Sequence, residues 1–426
     1  MAKNKIISAI DIGTTKVSTI IASIDEESER INVIGVANTP SKGLRKSQIV
    51  DIEETIESIT QSVEAAERMA GYSISSSLVS VSGSHIESIN SKGMVAVANP
   101  EGEINEEDVN RVIESARAVS LPTSREILHV IPRDFKVDSQ EGVKDPVGMG
   151  GIRLEAEAHI ITGYSTAMRN ITKCVSEIGV DVSSLVFTGL ASAETVLTAT
   201  EKELGVVLID IGGGSTSVSV FSEGALSFSS VLPVGAKNIT NDLAIGLRVS
   251  LESAEKIKLE LSKHKKDYTA SKSKEDDEIN TKHLNLNEEV GKLSRKTLVE
   301  GIIRPRLNEI FDMVGQELKK SGFGGTTPAG VVISGGGAET VGLITSCKRC
   351  LSMPARIGYP KGLSGLVDEI KSPAFAVGWG LILYGVKNAK GIKSDSSLKA
   401  VGKLMSKIKV KGTLEKGVQL IKSFLP

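Results

Sequence analysis

Apolar runs of strand length recur along the chain, and longer helical patterns separate them. One run spans Ile6 to Ile10 and another spans Val206 to Ile209. Each is followed closely by a second β pattern, at Val17 to Ile21 and at Ser217 to Phe221. A helical pattern covers Ile52 to Met69. This alternation of strands and helices predicts an α/β fold.

A second helical pattern, Glu106 to Val119, lies between strand-like segments. Asn105 precedes it as a cap, and acidic residues fill its first turn, where they suit the positive end of a helix. The region is bounded by Gly83 and Gly163. We therefore predict an inserted subdomain over residues 84–162.

The two strand pairs are copies of one element. In each copy the first strand ends in Asp-Ile-Gly, with the aspartates at Asp11 and Asp210, and the chain turns on small residues before the second strand. This repeat predicts two related halves. A third strand, Val331 to Ser334, runs into three glycines and predicts a strand followed by the N-terminus of a helix.

Turns of glycine and threonine suit phosphate groups, because backbone N–H groups can converge on oxygen atoms where no large side chain blocks the approach. One glycine run alone would also fit an ordinary tight turn, whereas three such elements predict a nucleotide site. Asp11 and Asp210 are placed to hold the water shell of a Mg²⁺ ion. The predicted phosphate-binding residues are Gly13, Thr14, Thr15, Lys16, Gly212, Gly213, Gly214, Ser215, Gly335, Gly336 and Gly337. The sequence lacks the Walker A spacing, which excludes the P-loop class.

This three-part pattern resembles the actin, Hsp70 and sugar-kinase superfamily, in which ATP lies in a cleft between two halves. The resemblance implies an actin-like (ribonuclease H-like) duplicated two-domain fold with ATP and Mg²⁺ as ligands. We assign residues 1–83 and 163–195 to the first half, and residues 196–229 and 309–386 to the second.

Further motifs resemble the FtsA family of bacterial cell-division proteins over nearly the whole chain. The motifs are Gly235 to Asp242, Ala254 to Lys258, and, inside the inserted subdomain, Asp145 to Met149, Arg153 to Glu155 and His159 to Thr162. Those in the inserted subdomain are the most specific, because this subdomain replaces one of the actin subdomains in that family. The resemblance implies that Glu255 and Lys258 reach the ribose and adenine and that Lys237 lies near the phosphates. Taken alone, the Glu255/Lys258 pair would equally fit a surface salt bridge.

The sequence departs from the pattern of actin-like ATPases at a place that matters for ATP hydrolysis. Actin-like ATPases usually carry a Glu or Gln upstream of the second aspartate that orients the attacking water, but the matching stretch here is Thr188 to Ala193. We therefore expect nucleotide binding with slow or conditional hydrolysis, since positioning carries much of phosphoryl-transfer catalysis. Glu194 is the nearest carboxylate and the one remaining candidate for a catalytic role.

Composition and charge narrow the possible partners. The 426 residues contain 51 Lys and Arg against 52 Asp and Glu, so no global field attracts anions and we expect no nucleic-acid partner. Length predicts about three domains. The three cysteines fit a reducing compartment rather than a disulfide scaffold. Because the sequence has no leader pattern and no long uncharged apolar window, we expect a cytosolic protein that does not span a membrane.

The C-terminal end is different in composition. From Lys387 to Pro426 the chain carries ten lysines and two acidic residues, and we predict a basic flexible linker over 387–410. Residues 411–426 predict an amphipathic helix with a basic polar face. A terminal helix can instead dock on its own core, but the linker and the lysines favour reversible binding to anionic inner-leaflet lipid. The predicted membrane-facing residues are Leu414, Val418, Leu420, Ile421, Phe424 and Leu425.

The family resemblance also implies protein partners. It predicts a protein at the cytoplasmic face of the cell membrane, at the division septum, that anchors the tubulin-like FtsZ polymer, self-associates like actin, and recruits later division proteins. Residues 230–308 would bind the acidic-hydrophobic tail of FtsZ. Four basic residues on one predicted helical stretch could meet its acidic groups, although a solvated basic face is the alternative; they are Lys292, Arg295, Arg304 and Arg306.

Other interpretations remain open. A small-molecule kinase of the same superfamily would need an aspartate base and an enclosed substrate pocket. An actin-like platform of pilus assembly would share the fold but would not explain the inserted motifs. An Hsp70-type chaperone would need a peptide-binding domain. The charged segment 261–283 is most simply a solvated loop or strand tip.

Overall fold

The computed structural model describes residues 5–394, except 26, 27, 29, 100, 264–276, 280, 324 and 326. Its strands are β1 (Lys5–Ile12), β2 (Lys16–Ile24), β3 (Ile31–Pro40), β4 (Leu44–Arg45), β5 (Gln48–Ile49), β6 (Ser76–Val81), β7 (Glu87–Ala96), β8 (Arg125–Val137), β9 (Gln140–Val143), β10 (Arg153–Tyr164), β11 (Asp181–Phe187), β12 (Val206–Ile211), β13 (Thr216–Ser222), β14 (Ala225–Leu232), β15 (Glu278–Ile279), β16 (Leu293–Ser294), β17 (Val331–Ser334), β18 (Ala355–Ile357) and β19 (Ser364–Gly365). Its α-helices are α1 (Ile52–Ala70), α2 (Glu106–Arg117), α3 (Ser165–Ser176), α4 (Thr188–Val196), α5 (Ala199–Leu204), α6 (Ala236–Leu247), α7 (Leu251–Lys263), α8 (Arg295–Leu298), α9 (Arg304–Lys320), α10 (Leu343–Leu351) and α11 (Ala376–Ser394).

Two sheets repeat one topology. The first has the order β11-β6-β1-β2-β3-β19, and the second has the order β14-β13-β12-β17-β18. In each, an antiparallel three-strand meander begins at the strand that carries the Asp-Ile-Gly sequence, and a parallel strand lies on the other side of that strand. The predicted duplication is therefore confirmed strand by strand.

Helix α1 illustrates how local sequence sets these elements. Asp51 caps its N-terminus by accepting from Glu54 N, and Gly71 ends it in the left-handed conformation at φ 63°. The helix packs closely on β3, where a Cβ atom on Gly35 would lie 2.4 Å from Ala66 O. Glycine at position 35 is what permits this approach.

The inserted region forms its own sheet. Strands β7, β10, β8 and β9 lie in that order, and α2 packs on them over a small core that includes Ile104, Val112 and Leu154. Asn105 caps α2 in a reciprocal capping box with Asp108, as the sequence predicts. The insertion lies between β6 and α3, and therefore interrupts the first half of the duplication.

The assignment of all of 309–386 to the second half is wrong. Strand β19 pairs in parallel with β3, so Ser364 lies opposite Asn32 in the sheet of the first half. Gly365 lets the two chains approach, because a Cβ atom there would lie 2.5 Å from Val33 O. Gly378 of α11 likewise lies against Ile20. The chain thus returns to the first half after β18.

The chain divides into two compact units, Met1–Leu383 and Tyr384–Pro426. In the second unit the structure describes α11 as far as Ser394, so the predicted linker does not begin at residue 387; the helix continues past that point. No described helix is long and apolar enough to cross a membrane.

The charged segment 261–283 is not a loop throughout. Helix α7 continues into it as far as Lys263, because Ile257 and Leu261 are buried along one face of that helix. Strand β15 begins at Glu278 and pairs with β16. Residues 264–276 lie outside the described residues.

Candidate functional site

The two Asp-Ile-Gly hairpins, β1–β2 and β12–β13, meet at one cleft of about 700 Å³. Threonines of the first hairpin lie against glycines of the second. A Cβ atom on Gly213 would lie 2.4 Å from Thr15 Cγ2, and one on Gly214 would lie 2.5 Å from Thr14 Oγ1. Glycine at these two positions therefore permits the close approach of the two halves.

The residues predicted from the three glycine elements and from the family resemblance converge on this cleft. Gly214 is the exception, because it packs against Thr14 and Lys46 and does not line the cleft. The predicted residues that do line it are Asp11, Gly13, Thr14, Thr15, Lys16, Asp210, Gly212, Gly213, Ser215, Lys237, Glu255, Lys258, Gly335, Gly336 and Gly337.

The third glycine element differs from its prediction. After β17, Gly335 takes φ 84°, and a Cβ atom there would lie 2.6 Å from Asp210 Oδ1. The following residues form a single 3-10 turn, Gly336–Glu339, and no α-helix begins before Leu343. Thr340 interrupts the helical conformation by taking an extended backbone.

Asp210, which is buried, lies in the cleft with Asp11 and Lys16, which are half-buried. Burial raises the pKa of Asp11, and burial together with the charge of Asp11 raises the pKa of Asp210 to about 7. Burial lowers the pKa of Lys16 to about 8, against the opposing effect of both aspartates. Asp210 Oδ2 is buried and has no hydrogen-bond partner within the described part of the chain. A hydrated divalent cation would satisfy it, so these residues fit Mg²⁺.

Helix α7 supplies one wall of the cleft. Lys258 Nζ donates to Glu255 Oε2 at 2.7 Å and to Thr240 Oγ1 at 2.9 Å, and Lys258 is 7% exposed. The pair is therefore not an ordinary surface salt bridge. Leu251 and Leu259 flank Glu255 at intervals of four residues, and both side chains are exposed within the cleft.

Further hydroxyl groups line the cleft besides the predicted Thr14, Thr15 and Ser215. Ser82, Thr188 and Ser217 line it, with Thr188 Oγ1 3.0 Å and Ser82 Oγ 3.3 Å from Ser217 Oγ. They come from separate elements, so no local motif identifies them. The exposed leucines of α7, in contrast, have a signal, because an apolar residue recurs on the same face as Glu255.

Glu194 is not a candidate for the catalytic role. It lies on α4 but accepts from Lys202 Nζ at 2.9 Å and lines a separate surface depression with Arg356 and Lys361. The helix directs Thr188 towards the cleft and Glu194 away from it. Among the described residues, the carboxylates that line the cleft are those of Asp11, Asp210, Glu252 and Glu255.

The four basic residues expected to meet a partner are not on one helix. Lys292 precedes β16 and pairs with Glu278 at 2.9 Å, whereas Arg295 begins α8. A five-residue π-helical segment, Val299–Ile303, joins α8 to α9. Lys292 is therefore excluded from the helical face by the short β15–β16 pairing that comes first.

Each arginine also has an internal contact. Arg304 pairs with Glu300 at 2.5 Å, and Arg295 Nη2 donates to Leu261 O. Arg306 makes a two-pronged contact with Asp242, at 2.6 and 2.9 Å, and also pairs with Glu309. The six predicted membrane-facing residues, Leu414 to Leu425, lie outside the described residues.

Two family models match the chain. The model described as "SHS2 domain inserted in FTSA" matches residues 83–162, and the model described as "Cell division protein FtsA" matches residues 207–380. The first range differs by one residue from the insertion predicted at 84–162.

Relatives and solved structures agree with these matches. The cell division protein FtsA of Pseudomonas aeruginosa is 38% identical over 92% of this chain and 92% of its own length. The FtsA of Bacillus subtilis is 36% identical over 92% of this chain and 86% of its own length. A chain of a PilM–PilN type IV pilus biogenesis complex aligns with a TM-score of 0.61 and 16% identity, covering 89% of this chain and 98% of that one. MreB5 of Spiroplasma citri bound to ADP aligns with a TM-score of 0.53 and 13% identity, covering 91% and 98%.

The duplicated sheets, the shared cleft and the inserted four-stranded sheet define an actin-like protein with an SHS2 insertion. The resemblance noted in the sequence extends over almost all of it. The chain belongs to the FtsA family of cell-division proteins.

Proposed function

We propose that this protein binds ATP and anchors FtsZ polymers to the cytoplasmic membrane at the division septum. The observation that carries the proposal is the cleft in which two Asp-Ile-Gly hairpins and a third glycine turn meet. Two solved relatives in fold, MreB5 of Spiroplasma citri bound to ADP and to AMPPNP, carry adenine nucleotides. Their nucleotides support ATP as the ligand here.

The residues of the cleft have distinct parts in this proposal. The backbone N–H groups of Thr14 and Gly213 would bind phosphate oxygens, and the ammonium of Lys16 would neutralise their charge. Asp11 and Asp210 would hold Mg²⁺ through its water ligands. When bound, this ion would supply charge that offsets the phosphates and the two carboxylates.

The base and ribose would lie along α7. Glu255 presents a partly exposed carboxylate that can accept from ribose hydroxyls, while Lys258 holds it in position. Leu251 and Leu259 offer exposed apolar surface on either side of Glu255, which suits a planar base.

We expect slow or conditional hydrolysis of ATP. The hydroxyls of Ser82, Thr188 and Ser217 line the cleft, and Glu194 is directed elsewhere. Hydroxyl groups orient a water but are poor general bases. Steady-state release of phosphate by the purified protein should stay below about one per second, since typical kinases reach 1–100 per second. Turnover of many per second without a partner would contradict this expectation.

Membrane attachment would reside in residues 411–426. Their apolar face would enter the interface of the bilayer, and the lysines that precede it would add attraction to anionic lipid. One such tail binds reversibly, and many tails on one polymer would bind persistently. Persistent membrane attachment therefore depends on polymerisation in this proposal.

Truncation tests the membrane anchor. A chain ending after Ser394 keeps α11 whole and removes the tail. We expect the full chain to float with vesicles that contain anionic lipid and the truncated chain to remain in solution. Ile421→Glu and Phe424→Glu should act like the truncation, whereas Gln419→Glu on the polar face is the matched control. Vesicle binding by the truncated chain would refute the anchor.

The FtsZ tail would bind in residues 230–308, and the inserted subdomain would contact neighbouring copies or later division proteins. Lys292 is the most exposed of the four basic residues, with 84% of its side chain accessible. A surface ion pair such as Lys292–Glu278 contributes little and is readily exchanged for an acidic partner.

A further inference from the structure

The turn between β4 and β5 contacts both Asp-Ile-Gly hairpins, β1–β2 and β12–β13, which would enclose the phosphates of ATP and are called the phosphate hairpins below. Ser47 N donates to Thr14 Oγ1 at 2.9 Å, and Ser47 Oγ lies 2.7 Å from Ser215 Oγ. Thr14 belongs to the first half of the duplication, and Ser215 belongs to the second. A single serine therefore joins the two elements between which a phosphate would enter.

The backbone conformation of this turn is unfavourable for its two central residues. Lys46 and Ser47 take φ 51° and φ 58°, both in the left-handed region, where two-residue hairpin turns normally carry Asn-Gly. The turn lies directly on Gly214, because a Cβ atom there would be 3.0 Å from Lys46 Cα. Contacts with the phosphate hairpins, rather than local preference, hold the turn in this conformation.

The other side of the turn contacts the root of the inserted subdomain. A Cβ atom on Gly83 would lie 3.2 Å from Ser47 O, and Gln48 Nε2 lies 3.5 Å from Ser84 Oγ. A cavity of about 180 Å³ separates the hairpin from His85 and Tyr164, whose rings stack at 5.9 Å. The chain enters the insertion through Gly83 to His85 and leaves it at Tyr164.

We propose that Ser47 is a positioning residue that holds the two phosphate hairpins together like a clasp. Through the same turn, a change in the distance between the two hairpins displaces Gly83 at the root of the inserted subdomain. This inference rests on the proposed binding of ATP. A bound phosphate would compete for the hydroxyls of Thr14 and Ser215, which are the groups that hold Ser47. The position of the turn, and of Gly83 beside it, then depends on whether the phosphate is present.

Hydrogen exchange without nucleotide tests the clasp itself. Ser47→Ala removes the hydroxyl and its contact with Ser215. We expect amide exchange in residues 13–16 and 212–216 to rise by about fivefold, the change that loss of one hydrogen bond produces. Ser321→Ala, which removes a hydroxyl at the end of α9, is the matched control and should leave these amides unchanged. Equal exchange in Ser47→Ala and the unsubstituted protein would overturn the inference.

Amide hydrogen exchange in the presence of MgATP tests whether the turn transmits phosphate binding to the root of the inserted subdomain. Binding of MgATP to the unsubstituted protein should change the exchange of residues 83–87. Gln48→Ala removes the contact with Ser84 and should reduce that change at least by half at unaltered ATP affinity. The same change in both proteins would overturn the transmission. If the unsubstituted protein binds no MgATP, the proposed function fails, whereas the comparison without nucleotide still decides the clasp.

Discussion

Lys16 Nζ lies 3.2 Å from the centroid of the Phe375 ring. The lysine begins β2 of the β1–β2 hairpin, and the ring ends the 3-10 turn that precedes α11. Within the described residues Lys16 Nζ has no hydrogen-bond partner. The face of the Phe375 ring thus holds the ammonium group of Lys16 at the cleft, and the N–H groups of this ammonium stay available to an anion.

Replacing Lys16 should therefore weaken ATP binding. We expect Lys16→Gln to raise the dissociation constant by roughly 10- to 100-fold, because a hydrogen bond to a charged group contributes about 1.5–3 kcal/mol. Titration calorimetry with MgATP measures the effect. Lys92→Gln, an exposed lysine of the inserted sheet, is the control and should bind like the unsubstituted protein. Equal affinity in Lys16→Gln would remove Lys16 from the site.

Glu255 should discriminate the ribose. If its carboxylate accepts from the 2′-hydroxyl, ATP should bind about tenfold more tightly than 2′-deoxyATP, and Glu255→Gln should reduce that difference. Competition of both nucleotides against a fluorescent ATP analogue measures it. Glu300→Gln, on the π-helical segment away from the cleft lining, is the control. A difference that persists in Glu255→Gln would place the hydroxyl elsewhere.

Two buried histidines predict sensitivity to acid. Burial lowers the pKa of His129 to about 4, and burial together with the nearby charge of Arg133 lowers the pKa of His159 to about 3, from the usual 6.5. At these two positions the unfolded chain therefore binds protons below pH 6.5 that the folded chain does not. The free energy of unfolding should fall by about 1 kcal/mol per pH unit for each histidine as the pH decreases from 6.5 towards 4, and these two groups should contribute no slope well above 6.5.

Urea unfolding at a series of pH values measures this slope. His159→Gln keeps a polar group beside Asn90 and Ser229 but does not titrate, so the slope should change by the contribution of one histidine, about 1 kcal/mol per pH unit. His283→Gln, whose side chain is 50% exposed, should keep it. A slope in His159→Gln equal to that of the unsubstituted protein would contradict the assignment.

The basic residues of the 230–308 region should differ in their roles. Lys292→Glu and Arg304→Glu should each weaken binding of an acidic FtsZ tail peptide several-fold, as measured by fluorescence anisotropy. Arg306→Ala should instead lower the thermal midpoint, because Arg306 joins α9 to Asp242 of α6. Lys320→Glu reverses an exposed charge at the far end of α9 and is the control. Unchanged peptide affinity in both Lys292→Glu and Arg304→Glu would exclude these two residues from the binding surface for the FtsZ tail.

The repeated part of the fold could be predicted from sequence because its signals are local. A strand, an Asp-Ile-Gly turn and a second strand recur at Asp11 and Asp210, and the same sheet order follows from both copies. Strand β19 could not be predicted, since two residues pair with a strand more than three hundred positions earlier in the chain. Its one signal, Gly365, marks a close approach but not its partner.

The same distinction applies to the cleft. The glycine turns carry their own pattern, whereas Ser47, Ser82 and Thr188 reach the cleft from elements that only the tertiary fold brings together. Glu194 shows the converse. Its position in the sequence predicted a place in the cleft, but α4 directs its side chain towards Lys202 and away from the cleft.

The most direct test of the central claim is co-flotation of FtsZ filaments with vesicles that contain anionic lipid. In the presence of MgATP, the full chain should carry FtsZ to the vesicles, and the chain ending after Ser394 should bind FtsZ but leave it in solution. FtsZ that stays in solution with the full chain, or that floats equally with the truncated chain, would contradict the proposal that this protein tethers FtsZ to the membrane.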